Sequence, residues 1–481
     1  MTRRFTAPAR RKTVSGPPGL ALTSPVAHRS TRLPAPRLLE CRPILRACDR
    51  AAKTSPLASS ARSRPTTTEL RPRRKRVNHD FTRAPGDNRG RIHRALGGPN
   101  VQRFKIEVSD SLLADLADRL ARTRFPDQLE GAGWDYGTEL SYLRELVAHW
   151  RSKYDWRAHE RALNQFEHWK AKVRGLELHF IHQRSKEPGA LPLVITHGWP
   201  GSVYEFHKII GPLTDPVAHG GRKEDAFHVV CPSMPGYGWS EAPKQPGFDI
   251  KQVGETVAAL MAELGYGRYG AQGGDWGAIA TAWIGRVDPS HCAGIHMNMI
   301  VAGPPAGAAN PMEGVTPQEM AWLGEMGNFQ KNEVGYQQIQ GTKPQTLGYG
   351  LNDSPAGLAA WIVEKFHGWS DCGGKIESRF SKDELLTNVM IYWITQSITS
   401  STRLYCETMR AGRFGAAEGR IEVPTAGAIF AKELYKAPRK WAEAGFNLKQ
   451  WSVFDRGGHF AALEEPKLLV DDVRKFFREL R

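Results

Sequence analysis

A rhythm between residues 191 and 300 limits the possible folds of this chain more than any other feature. Apolar runs of four to six residues, at Leu191–Thr196, 227–231, 269–272 and 295–299, each end in a loop of Gly, Pro and polar residues. Helical stretches such as 278–287 lie between them. Apolar runs this short, bounded by turn residues, read as strands buried on both faces, and the helices between them read as crossovers. The pattern therefore predicts an α/β fold around a mostly parallel sheet, in which the loops at the carboxyl ends of the strands carry the chemistry.

The rhythm stops near Val301. Residues 301–419 are mostly helical and predict a lid inserted into the sheet; strand and helix then alternate again through 421–429, 450–454 and a closing helix bearing Leu468, Leu469, Val473, Phe476 and Phe477. Ahead of the sheet, Ser109 or Asp110 can cap a helix whose Leu112, Leu113, Leu116 and Leu120 share one face and which ends before Phe125-Pro126. A second helical stripe runs through Tyr142, Leu143, Leu146, Val147 and Trp150 and continues across a tryptophan-rich stretch to Trp169. After Gly175, the alternation Leu176, Leu178, Phe180 predicts a strand with one buried face. The expected organisation is a tail over 1–100, a helical N-terminal segment over 101–185, a core over 186–300 and 420–481, and the lid over 301–419.

The chain's formal charge of +16 invites a nucleic-acid or membrane partner until its location is examined. Residues 1–100 hold 23 Lys and Arg against 5 Asp and Glu, leaving 43 against 45 in the rest. The basic character thus belongs to the tail, and no nucleic-acid partner is expected for the folded part. The tail is rich in Arg, Pro, Ser, Thr and Ala, which predicts disorder. Its cluster Arg71, Arg73, Arg74, Lys75, Arg76 could bind nucleic acid, and its acid-poor composition also resembles an organellar transit peptide. The reading preferred here is an extension without function, so a chain starting at Val101 should keep full activity; a large loss of turnover in that truncation would overturn this. Six cysteines without close pairing or zinc-like spacing predict reduced thiols. No apolar stretch approaches the roughly 18–20 residues of a membrane span, so a cytoplasmic protein is expected.

Three short motifs fall at predicted strand ends. Gly273-Gly274-Asp275-Trp276-Gly277 sits where a strand gives way to a helix, and its glycines permit a sharp turn that would present Asp275 as a nucleophile. A carboxylate needs no deprotonation to attack, and it suits an electrophilic carbon with a strained or good leaving group. Arg456-Gly457-Gly458-His459-Phe460 brings His459 to the same sheet edge as a general base, and Glu433, after the preceding strand, can fix its tautomer. His197-Gly198-Trp199-Pro200-Gly201 closes an earlier strand, where the backbone N–H of Trp199, with that of Trp276, would form an oxyanion hole. Each motif alone could be an ordinary turn or a surface residue. The order nucleophile, acid, base is that of a hydrolase on such a sheet.

Taken together, these motifs resemble the microsomal-type epoxide hydrolases over about residues 104–481. The resemblance implies an α/β-hydrolase fold and hydrolysis of a lipophilic epoxide to a vicinal diol through an ester on Asp275, without metal or organic cofactor. It also implies that Tyr336, in Val334-Gly335-Tyr336-Gln337, and Tyr405, in Arg403-Leu404-Tyr405-Cys406, hydrogen-bond the epoxide oxygen. From composition alone these tyrosines would be core residues. The animal members of that family carry a membrane anchor, which this tail does not replace. Two alternatives stand beside this reading: a haloalkane dehalogenase, with the same nucleophile and base, and a hydrolase-fold protein that binds a lipophilic ligand without converting it. The lid's Trp322, Phe329, Trp361, Phe366, Trp369 and Trp393 suit a lipophilic substrate or simply pack the lid. Oligomeric state is open.

Overall fold

The computed structural model describes residues 100–414 and 419–481. The readings of the basic tail, and residues 415–418 of the expected lid, lie outside the described residues. Nine strands form one sheet: β1 (Val101–Phe104), β2 (His168–Val173), β3 (Leu176–Gln183), β4 (Leu191–Thr196), β5 (Phe227–Pro232), β6 (Tyr269–Gly273), β7 (Cys292–Met297), β8 (Ile421–Ile429) and β9 (Phe446–Val453). Their spatial order is β1-β2-β3-β5-β4-β6-β7-β8-β9. The strands from β5 to β9 pair in parallel, whereas β1, β2 and β3 extend the β5 edge in antiparallel fashion.

The parallel strands read as unbroken apolar runs because both faces are covered. Leu193 and Ile195 of β4 pack into one layer with Leu469 and Phe477, while Val194 between them packs into the opposite layer with Val257 and Ile284. The helices supplying these layers are α4 (Ile210–Thr214), α5 (Ile250–Glu263) and α6 (Trp276–Val287) in the first half of the core, and α13 (Arg439–Gly445), α14 (Ala461–Glu464) and α15 (Pro466–Arg478) in the second. The α15 stripe Leu469, Val473, Phe476 and Phe477 is fully buried, at roughly 1.5–3 kcal/mol per side chain.

The N-terminal segment contributes α1 (Asp110–Ala121), α2 (Leu140–Ser152) and α3 (Trp156–Leu163). Ser109 is the residue that caps α1, accepting the Leu112 N–H at 3.3 Å. This segment also supplies three strands to the sheet, more than its helical periodicity suggested. Trp169, expected in a helical stretch, lies on β2 opposite Phe180 of β3. The two strands meet through the two-residue turn Arg174-Gly175, with φ of 49° and 84°, a conformation that closes a tight hairpin.

Between β7 and β8 the described residues form six helices: α7 (Pro317–Asn332), α8 (Gly335–Thr342), α9 (Pro344–Asp353), α10 (Pro355–Trp369), α11 (Lys382–Thr395) and α12 (Ile398–Arg410). They cover the carboxyl edge of the sheet. Among the described residues no helix is long and apolar enough to cross a membrane, and Cys231, Cys292, Cys372 and Cys406 are free and buried.

Candidate active site

Four loops at the carboxyl ends of β4, β6, β8 and β9 converge under the lid. The strand order already brings them close, because β4 adjoins β6 and β8 adjoins β9. The β8–β9 pairing continues past the strands through a parallel bridge between Lys432 and Gly458. That bridge sets Glu433 beside His459, 26 residues later.

Asp275 occupies the turn between β6 and α6 with φ 50° and ψ −131°, a conformation that costs a non-glycine residue about 1–3 kcal/mol. The turn is this tight because Gly277 lies on the end of β4: a Cβ there would be 1.8 Å from the Thr196 carbonyl oxygen. Asp275 Oδ1 accepts the backbone N–H of Trp199 at 2.8 Å, and its Oδ2 lies 3.3 Å from His459 Nε2. His459 Nδ1 donates to Glu433 Oε1 at 2.8 Å, and the Leu434 N–H binds the same oxygen at 2.6 Å. Glu433 and His459 are buried, and Glu433 Oε2 has no protein partner.

Burial alone would make His459 a weaker base. The charges and hydrogen bonds of Glu433 and Asp275 outweigh it, and the imidazole is held well above its ordinary pKa. The two flanking carboxylates favour the charged imidazolium form.

The Trp199 loop is fixed from three sides. His197 donates from Nδ1 to the Gly198 carbonyl at 2.9 Å and accepts the Met234 N–H at Nε2, 3.2 Å away, so its neutral tautomer is set by its partners. Burial pushes its pKa down to about 4, so it stays neutral. From the lid, Asn388 donates to the Pro200 carbonyl and Tyr392 to the Gly201 carbonyl, each at 2.7 Å. His197 was visible in the sequence only as the first letter of a turn motif; nothing there showed that it would lock the turn. Gly198 is required by contact, since a Cβ would fall 2.2 Å from Asp275 Oδ1. Gly198→Ala should therefore lower kcat/KM by roughly 10²-fold by displacing the Trp199 donor and cost about 1–3 kcal/mol of stability through overpacking. Steady-state kinetics and thermal denaturation check both.

Tyr336, at the start of α8, and Tyr405, on α12, come together above Asp275. The Tyr336 ring stacks on Trp199 at 5.4 Å, and Tyr405 stands edge-on to Trp199 at 5.9 Å and to Trp276 at 4.7 Å. The two phenol rings are 6.0 Å apart. Burial, then the Asp275 carboxylate, push Tyr336 well above the usual phenol range. Burial, then Tyr336 and Asp275, do the same to Tyr405. Trp276 opens α6, and the first N–H groups of a helix have no partner within it.

Of the lid aromatics, Trp369 stands edge-on to His459 at 5.1 Å and 5.2 Å from Tyr336, with Phe329 behind it. Phe366 instead stacks on Phe460 at 4.0 Å as packing. Trp361, with Tyr336 and residues Trp134 to Thr138 of the N-terminal segment, lines a cleft of about 1340 Å³. The end of α10 is fastened to the His459 loop: the His459 N–H donates to the Trp369 carbonyl at 3.0 Å, the Gly457 N–H to Asp371 Oδ2 at 3.0 Å, and Glu464 accepts the N–H groups of both Asp371 and Phe460.

A carboxylate bonded to a backbone donor, an imidazole paired with a second carboxylate, and two phenols above them can open a strained ring and hydrolyse the resulting ester. Comparison with known proteins points the same way. Residues 101–206 match the family model described as epoxide hydrolase N terminus, and residues 192–326 match the one described as alpha/beta hydrolase fold. Epoxide hydrolase 1 of Oryctolagus cuniculus is 40% identical over 79% of this chain and 89% of its own. The crystal structure of juvenile hormone epoxide hydrolase from the silkworm Bombyx mori is similar at a TM-score of 0.74, with 36% identity over 80% of this chain and 96% of that one. The structure of Aspergillus niger epoxide hydrolase matches at 0.72, with 30% identity over 81% and 98%.

Proposed function

Because the chain belongs to the microsomal-type epoxide hydrolase family and hydrolyses epoxides, we propose that Asp275 is its nucleophile, His459 its base and Glu433 the acid that orients the base. Tyr336 and Tyr405 then serve as donors to the epoxide oxygen, and the N–H groups of Trp199 and Trp276 as the oxyanion hole. The observation that carries this reading is the division of labour at Asp275: Oδ1 is held by the Trp199 N–H while Oδ2 faces the imidazole beneath two phenols.

Oδ2 attacks an oxirane carbon, the carbon–oxygen bond breaks, and the oxygen takes a proton from a tyrosine to leave an alkyl ester, a free hydroxyl and a tyrosinate. The phenols resist ionisation while Asp275 is charged. As attack moves that charge onto the ring oxygen, the part of this opposition due to Asp275 falls away, while burial remains. Esterification also removes one of the two charges that keep His459 protonated, so the imidazolium gives its proton through solvent to the tyrosinate and is a free base when the second step requires one. Water then loses a proton to His459 Nε2 and attacks the Asp275 carbonyl carbon. On collapse, the diol oxygen leaves with the proton from His459, and the remaining carboxyl proton passes to His459, which restores the starting carboxylate, imidazolium and phenols.

We place the substrate among lipophilic epoxides, on the aromatic walls formed by Trp199, Trp369, Tyr336 and Phe329. No metal or organic cofactor takes part in this pathway. The phenols favour an epoxide over a haloalkane, and an intact triad favours conversion over mere ligand binding. The test is a single turnover of styrene oxide in heavy-oxygen water. Diol should form and the label should appear in the Asp275 carboxylate after proteolysis; diol without label in Asp275 would rule out the ester.

A further inference from the structure

Beside Asp275 lies a small cavity of about 20 Å³, bordered by Thr196, Glu205, Gln272, Asn298 and His459 as well as by Asp275 itself. That is room for a single water molecule. Polar groups line one part of its wall, and Phe206, Phe460, Ala461, Ala462 and Leu469 line the rest. Thr196, the last residue of β4, has a buried hydroxyl oxygen without a protein partner. Gln272 and Asn298 are joined to each other at 2.9 Å. Glu205 sits in a short helical turn, Val203–Phe206, capped by Ser202. Its carboxyl packs against the bare backbone of Gly201, where even a Cβ would lie 1.3 Å from Oε1. Among the described residues no Lys or Arg pairs with it.

We propose that Glu205 is a catalytic residue of the second half-reaction: with the Thr196 hydroxyl, its carboxyl holds the water that His459 deprotonates and that attacks the Asp275 ester. This rests on the ester pathway proposed above. The attacking water must point one hydrogen at His459 Nε2 and a lone pair at the Asp275 carbonyl carbon. Its second hydrogen then needs an acceptor, and without one the molecule rotates out of line. Glu205 and Thr196 each offer an acceptor oxygen on the cavity wall, and the Thr196 hydroxyl has no protein partner. In the step itself the water O–H bond breaks toward Nε2 and the new carbon–oxygen bond forms. The carbonyl electron pair moves onto the oxygen held by the Trp199 N–H, and Glu205 neither gains nor loses a proton.

The charge state of Glu205 suits this task. Burial pushes its carboxyl up to about 8, with the His459 charge pulling it down and the Asp275 charge pushing it up. Tyr392, from α11, is the other titratable group that faces it. Below that pH Glu205 is neutral, so it can accept from the water without opposing the negative charge that develops on the ester. A carboxylate at the same place would resist it.

The experiment follows ester formation and decay separately in single turnovers, by tryptophan fluorescence and by the mass of the quenched protein. Glu205→Gln keeps both the hydrogen-bonding shape and the turn's capping pattern, and should decay its ester within about threefold of the natural rate. Glu205→Leu should slow decay by roughly 10²-fold while formation changes by less than about threefold, so that ester accumulates. In the natural enzyme decay should slow as pH rises through about 8, and this alkaline limb should be missing in Glu205→Gln. Unchanged decay in Glu205→Leu, or equal slowing of both steps, overturns the proposal. If that variant does not fold, an alkaline limb retained in Glu205→Gln overturns it. Absence of any ester in the natural enzyme is a different failure, of the pathway itself.

Discussion

Replacing His459 by Gln is expected to stop the reaction between its halves. The variant should still form the alkyl ester, because attack needs only the Asp275 carboxylate and the two phenols, but it cannot deprotonate the water that releases the product. General-base catalysis is worth about 10²–10⁴-fold, so steady-state turnover should fall by roughly 10³-fold or more. The distinguishing sign is stoichiometric: mixing with excess epoxide should raise the protein mass by one substrate equivalent, and the added mass should persist. A variant that loses turnover without trapping ester would show that His459 acts before or during ring opening. Glutamine also removes the imidazolium now held between Asp275 and Glu433. The purified variant must therefore be checked for folding before its kinetics are read.

The second large effect belongs to the phenols. Changing Tyr336 or Tyr405 to Phe should each lower the rate of ester formation by about 10²-fold, and the double change by at least about 10³-fold, in line with the loss of donors aimed at a developing oxyanion. Decay of any ester that does form should be nearly unaffected, the reverse of the His459 result. If, as proposed, both tyrosines reach the same oxygen, each compensates in part for the other and the effects should fall short of additive. If the double variant opens epoxides at the natural rate, the tyrosines are packing residues, as their composition alone would have suggested.

What was readable in the sequence, and what was not, divides along physical lines. The strands β4 and β8 coincide with their expected runs, because an apolar segment covered on both faces has no other economical place in a fold. β1 and β2 were missed. β1 is the edge strand and β2 lies next to it; charged Arg103, Lys170 and Lys172 interrupt their apolar signal, and β2 depends on its hairpin with β3 rather than on its own composition. Asp275, His459 and Trp199 were legible because each stands on a glycine-marked loop at a strand end, whereas Tyr336 and Tyr405, on helices, followed only from the resemblance; the structure brings all of these and Glu433 together. Their electrostatics were not. The upward shift of His459 depends on two carboxylates more than 25 residues away from it in the chain, and no local pattern encodes that. Glu205 escaped notice for a related reason. Its sequence context, Ser202-Val203-Tyr204-Glu205, reads as a helix-capping arrangement, and only the fold turns it toward Asp275.

The ties between the end of α10 and the His459 loop bear on how this lid could be exchanged or redesigned. Trp369, Asp371 and the loop are joined by these hydrogen bonds, so a movement large enough to lift α10 should withdraw the imidazole from Asp275 and leave an ester stranded. Substrate passage should therefore fall to the opposite flank, where Tyr336 borders the cleft against the N-terminal segment. For a chimaera that borrows lid helices from a relative, the splice belongs upstream of Trp369. A graft spanning α7 to α9 can alter which epoxides are admitted, while one that also replaces residues 369–371 would put the timing of hydrolysis under the control of a foreign hinge.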